Sequence, residues 1–240
     1  MVIVGQSIPR EYLFYIQAMG YRVVLLPPDP RLSAPVSSHA DMLLFLTRNT
    51  LITDRTYYEK IAREELDKIC TDGALKLQLT DEVPGAYPKD IRFNALSLGQ
   101  YLFCHPMHTS AAVLSAARAA KLTILPTRQG YARCATCPVG EQALITADPA
   151  IAAKAKENGL DVCLIRQGHI VLPGYPYGFI GGCCGTARDQ IFFCGDPYLH
   201  PNGEEMLSFI RSHKITPHRI PDLPLFDVGS IFFIGENNPA

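Results

Sequence analysis

The chain has 240 residues, 48% of them hydrophobic and 19% charged, with 22 basic against 23 acidic side chains and a formal net charge of -1. A chain of this length buries roughly 70 to 75% of its unfolded surface, so it builds a core without metal or disulfide staples, and disorder is excluded. No basic run is longer than a pair, which excludes a nucleic-acid backbone as the main partner because phosphate contacts need clustered Lys and Arg. A small uncharged or zwitterionic ligand fits better.

No apolar stretch approaches the roughly 18 to 20 residues that cross a bilayer, and residues 1–10 lack the basic start, apolar segment and cleavage site of an export signal. The expected location is the cytoplasm, with no membrane partner. Eight cysteines, Cys70, Cys104, Cys134, Cys137, Cys163, Cys183, Cys184 and Cys194, therefore read mostly as buried thiols, where cysteine acts as a small hydrophobe.

In chain order, a short apolar run ending in Gly or a polar residue, often followed by Pro, occurs five times, at 2–5, 51–54, 101–106, 143–149 and 191–197. Each predicts a strand handing over to a helix, since Asp or His before Pro suits a helix N-terminus and Pro is tolerated in the first turn. Amphipathic helices are predicted at 10–19, 56–69, 110–120, 150–158 and 204–213, with Gly20, Gly73 and Gly159 as C-terminal stops. A second apolar strand follows each helix, at 22–26, 75–79, 122–125, 162–165 and, less sharply, 215–220.

A polar cluster then opens the next strand: His39-Ala40-Asp41, Asn94, Cys134-Ala135-Thr136-Cys137, Gly181-Gly182-Cys183-Cys184 and Asp227. From Asp41 to Asn94, Cys134, Gly182 and Asp227 the steps are 53, 40, 48 and 45 residues, close to one fifth of the chain. The final run 231–234 with Gly235 resembles the first run with Gly5, so the two ends are expected side by side, closing a ring. The expectation is one α/β domain over 1–240, a closed ring with fivefold pseudosymmetry and a central pocket lined by the five clusters.

Three stretches carry a resemblance: Gly130-Tyr131-Ala132-Arg133-Cys134, Leu172-Pro173-Gly174-Tyr175-Pro176-Tyr177-Gly178-Phe179-Ile180-Gly181-Gly182 and His200-Pro201-Asn202-Gly203. They resemble an uncharacterised bacterial family of the guanidine-group-modifying-enzyme, or pentein, fold. The resemblance implies a five-bladed α/β propeller with its site at the centre, in agreement with the repeat count. Enzymes of the wider fold use a Cys nucleophile, a His acid/base and carboxylates that grip a guanidinium, which implies a hydrolase or transferase acting on a small guanidino or amidine compound. Their nucleophile lies in the last repeat, near Asp227-Val228-Gly229-Ser230 here, and no cysteine follows Cys194. The competing class is a non-catalytic binding module, as in the ribosome-binding translation factor that shares the fold.

From the residues themselves, Cys134, Cys183 and Cys184 are candidate nucleophiles beside His39, because a thiol needs a partner base or cation to ionise. Asp41 and Asp227 are candidates to orient the base or grip substrate, and His39 and Asp41, two apart on a strand, would share a face. Gly181 and Gly182 allow close backbone approach to a ligand, and Asn94 is the second repeat's axial polar residue. Arg133 and Arg188 are candidates for a carboxylate, and with Asp41, Asp227 and Glu141 they would match an amino-acid-like zwitterion at both ends. No cofactor is expected. Cys134 and Cys137 have zinc-like spacing without a second ligand pair, and on a strand they would point to opposite faces. His105, His108 and His200 at strand-to-helix junctions suit capping or surface roles.

Overall fold

The computed structural model describes residues 1–235, so the last five positions of the expected 1–240 domain lie outside the described residues. β1 (Val2–Gly5) leads through α1 (Arg10–Ala18) to β2 (Val23–Leu26). The second unit runs α2 (Ala40–Leu43), β3 (Leu44–Leu46), β4 (Thr50–Asp54), α3 (Arg55–Lys60), α4 (Arg63–Gly73) and β5 (Lys76–Thr80). The third contains β6 (Leu96–Leu98), β7 (Tyr101–Cys104), α5 (Ala111–Ala119) and β8 (Thr123–Pro126). The fourth has β9 (Thr136–Val139), β10 (Ala143–Thr146), α6 (Pro149–Glu157) and β11 (Asp161–Leu164). The fifth has β12 (Cys184–Ala187), β13 (Gln190–Phe193), α7 (Gly203–Ser212) and β14 (Thr216–His218), and β15 (Phe232–Phe233) comes last.

Five three-stranded sheets result among the described residues. In each, the strand before the helix lies in the middle, parallel to the strand after it and antiparallel to a third. The first unit has no hairpin strand of its own and takes one from the far end of the chain: β15 pairs with β1, Val2 opposite Phe233 and Ile3 opposite Phe232. Met1 and Ile234 add two backbone hydrogen bonds, at 2.9 and 3.2 Å. The ring is closed as the similar end runs predicted.

Packing explains why the middle strands read as unbroken apolar runs. Successive side chains point to opposite faces, and here each face meets a neighbouring sheet. Ile3 packs toward the β3-β4-β5 sheet while Val2 and Val4 pack toward the β12-β13-β14 sheet. Leu102 and Cys104 join one core, Tyr101 and Phe103 the next. Five apolar clusters fill the five interfaces between adjacent sheets, so no sheet leaves a broad face in water.

The helix starts follow local chemistry. Asp54 accepts from Tyr57 N, Ser110 from Ala112 N and Asp148 from Ala150 N and Ile151 N. Three local expectations are corrected. The predicted helix 56–69 is two helices, because Ile61 N and Ala62 N both bond to Tyr57 O and end α3. The third unit's helix is capped by Ser110, while His105 O accepts from His108 N and Thr109 N in a preceding turn. The α4 stop is Ala74, in the left-handed region at φ 51°, rather than Gly73.

Candidate functional site

The segments entering β3, β6, β9, β12 and β15 converge at the middle of the ring, and hydrogen bonds tie all five together. Asn94 Nδ2 donates to Cys134 Sγ at 3.1 Å, and Cys134 Sγ donates to Asp41 Oδ2 at 2.9 Å. The Ser230 hydroxyl lies 2.6 Å from Asp41 Oδ2 and 3.1 Å from Gly181 O. Gly182 N donates to Cys134 O, and its carbonyl accepts from Val228 N and Ser230 N.

Asn94 holds the turn that presents Cys134: its Oδ1 accepts from Arg133 N at 2.9 Å and Cys134 N at 3.1 Å. Asp227 is fixed the same way, its two oxygens accepting from Phe179 N at 2.8 Å and Gly229 N at 3.0 Å. Gly182 is required beside it, since a Cβ there would lie 2.0 Å from Asp227 Oδ1. Gly229, at φ 74°, brings backbone against His39, where a Cβ would be 2.2 Å from the imidazole Cγ. His39 Nδ1 then stands 3.8 Å from Asp227 Oδ1.

A cavity of about 200 Å³ opens over His39, Cys134 and Asp227, walled by Tyr131, Tyr175, Tyr177, Phe179, Leu172 and Met42, with Val36 and Pro176 completing it. The strap through Tyr175 and Tyr177 comes from the fourth unit and leans on the first, with the Tyr175 hydroxyl on Ser33 Oγ at 3.3 Å. Tyr131 is fixed by donating to Asp90 Oδ2 at 2.7 Å.

Burial dominates the electrostatics. It raises the Asp227 carboxyl to about 6, against the pull of the Phe179 and Gly229 amides. The Asp41 carboxyl is also raised, first by burial and then by Asp227, and its Oδ1 is buried with no hydrogen-bond partner. The Cys134 thiol is pushed well above its ordinary value by burial and by the two carboxylates. His39 is lowered by burial, so its imidazole rests neutral at pH 7.

His39, Asp41, Asn94, Cys134, Gly181, Gly182 and Asp227 are thus brought together. His39 and Asp41 are not on a strand: His39 precedes the short α2 and Asp41 lies within it. The other sequence candidates fall elsewhere. Cys183 and Cys184 pack in the apolar cluster between the β9-β10-β11 and β12-β13-β14 sheets, where Cys183 Sγ donates to Ile180 O. Glu141 is exposed at the β9–β10 turn and Arg188 at the β12–β13 turn, both distal to the axis. Arg133 is buried but turned away, donating from Nη1 to Gly181 O at 3.1 Å and Thr136 O at 3.3 Å, with its guanidinium 5.4 Å from the Phe232 ring.

Cys134 and Cys137 do diverge, the first toward Asp41 and the second bonding the Cys184 thiol. Among the described residues no group of three or more His, Cys, Asp or Glu is placed to hold a metal ion, and no helix is long and apolar enough to cross a membrane. Sequence reasoning did not assign Ser230 or the aromatic walls. The aromatic spacing Tyr175-x-Tyr177-x-Phe179 was the available signal.

Five small mixed sheets closed around a polar axis define the pentein fold, and solved structures agree. A dimethylarginine dimethylaminohydrolase adduct with 4-chloro-2-hydroxymethylpyridine matches with a TM-score of 0.54 and 14% identity over 91% of both chains. A mutant of the enzyme from Pseudomonas aeruginosa complexed with citrulline matches at 0.53 and 13%, again over 91% of both. SxtG, an amidinotransferase from Microseira wollei, matches at 0.53 and 12% over 99% of this chain and 94% of its own. At such identity the likeness is one of fold. The chain belongs to a family of unknown function, DUF6873, whose profile matches residues 3–232. No curated protein sequence matches it significantly.

Proposed function

We propose that the axial cavity binds a small molecule with a guanidinium or amidinium head and that Cys134 is the nucleophile that attacks its central carbon. The observation that carries this reading is the pairing of an aromatic wall with an acidic floor. Tyr131, Tyr175, Tyr177 and Phe179 surround a cavity that ends on Cys134 and Asp227, and the unpartnered Asp41 Oδ1 lies close to that floor. A planar delocalised cation satisfies both: its faces interact with aromatic rings and its N–H groups pair with carboxylate oxygens. At about 200 Å³ the cavity is smaller than the roughly 300 to 1,000 Å³ of drug-sized sites, which favours a small ligand. The solved relatives named as acting on or binding guanidino or ureido compounds support the same class.

Without ligand the thiol is held protonated first by burial and then by the carboxylates around it. A bound cation opposes the carboxylates' share of that effect, so the thiol is readied to give its proton to Asp41 only once ligand is bound. Sulfur then bonds to the guanidinium carbon while its proton passes to Asp41. The C–N bond breaks as the departing amine takes up a proton, relayed through Asp41 or the neutral His39. Water, in a hydrolase, or a second amine, in a transferase, displaces sulfur and restores the thiol.

The second reading is a binding module without chemistry, favoured by the same elevated thiol. Incubation with guanidino compounds separates the two. Amine release with a Cys134 adduct trapped in mass spectrometry, absent in Cys134→Ala, supports the enzyme. Saturable binding without either product supports the module, and absence of binding removes both.

A further inference from the structure

The zwitterion expectation placed a cation where the ligand's far end would lie, and the cavity holds none. Beside His39, Cys134 and Asp227 its lining includes Val36, Leu172, Pro176 and the rings of Tyr131, Tyr175 and Tyr177, and among the described residues no Lys or Arg lines it. The arginine beside the site, Arg133, is spent on Gly181 O and Thr136 O and faces a separate cavity bounded by Leu44, Phe93 and Thr186. Arg31, on the loop before Ser33, is forked between Asp29 and Asp54. The tyrosine hydroxyls are engaged as well: Tyr131 donates to Asp90, Tyr175 to Ser33, and Tyr177 accepts from Gln167.

We infer that the ligand's tail is uncharged: the site takes guanidines or amidines carrying an alkyl or aromatic substituent and discriminates against amino-acid-like zwitterions. This rests on the guanidinium-binding reading above and specifies its substrate class. The cationic head meets carboxylates at the floor, whereas an α-carboxylate would be pressed against Leu172, Pro176 and tyrosine rings without a partner. A carboxylate partly stripped of water there and left unpaired is disfavoured, while apolar tail surface is favoured by the area it covers.

n-Butylguanidine is arginine without its α-amino and α-carboxyl groups, which isolates the tail. Calorimetric titration of the full chain at pH 7.5 is expected to give at least tenfold tighter binding for n-butylguanidine than for L-arginine. Equal or tighter binding of L-arginine overturns the inference while leaving guanidinium binding intact. Failure of both to bind removes the guanidinium reading, and this inference with it. Tyr175 is 44% exposed at the rim, so Tyr175→Arg supplies the missing cation at a tolerant position. It is expected to narrow the preference at least threefold, and an unchanged ratio contradicts the argument that the missing cation sets it.

Discussion

The Cys134 thiol and the Asp41 carboxylate, 93 residues apart in sequence, share a hydrogen bond of 2.9 Å at the centre of the ring. In that contact Asp41 is the acceptor, and burial first, then Asp41 and Asp227, keep the proton on the resting thiol. On the proposed reading, Cys134 is inert until a cation enters. With iodoacetamide at pH 7.5 and no ligand, Cys70, the one cysteine that is not buried, is expected to be modified first. Cys134 should react at least tenfold more slowly by peptide mass spectrometry; equal rates would contradict this account of the thiol.

Asn94 positions that thiol through two backbone N–H groups, Arg133 N and Cys134 N, that have no solvent to turn to. Asn94→Ala leaves both unsatisfied at about 1 to 3 kcal/mol each. Urea unfolding should show a loss of about 2 to 5 kcal/mol, and a loss under 1 kcal/mol would mean the turn is held by something else.

Gly182 and Asp227 are fitted to each other with no room for a methyl group. Gly182→Ala is expected to destabilise the fold by about 1 to 3 kcal/mol through overpacking and to weaken n-butylguanidine binding by displacing the carboxylate. Retained stability with retained affinity would show that Asp227 does not depend on this contact.

Ring closure depends on β15. Phe233 is buried between sheets, its ring 4.7 Å from that of Phe192 and 5.1 Å from that of Tyr21. Phe233→Ala should cost about 3 to 5 kcal/mol, against less than about 0.5 kcal/mol for Phe14→Ala, where the side chain is exposed. Similar effects of the two substitutions would argue against a closed ring.

The fold was legible because two signals repeat. Middle strands such as 101–104 are apolar throughout since neighbouring sheets cover both faces, and each unit sends one polar segment to the axis. The direction of individual side chains was not legible. Cys183 and Cys184 enter a strand whose neighbours decide the buried face. Arg133 is aimed by the irregular turn before β9, which no periodicity describes. His39 and Asp41 were read with strand geometry but belong to a helical turn, and they meet the site through Gly229 and Ser230, nearly 190 residues away in sequence. The aromatic strap alternates at Tyr175, Tyr177 and Phe179 but lies outside the repeating strand–helix–strand pattern, so its role over the cavity emerges only from its contact with the first unit.

The most direct measurement is calorimetric titration of n-butylguanidine at pH 5 and pH 7, each in two buffers of different ionisation enthalpy. Asp227 is raised to about 6 and a guanidinium favours its ionised form, so at pH 5 binding must expel the proton, whereas at pH 7 the carboxylate is already largely charged. The account predicts affinity about tenfold weaker at pH 5, with close to one proton released per ligand there and little at pH 7. Affinity that is independent of pH, proton uptake in place of release, or no binding at either pH would contradict it.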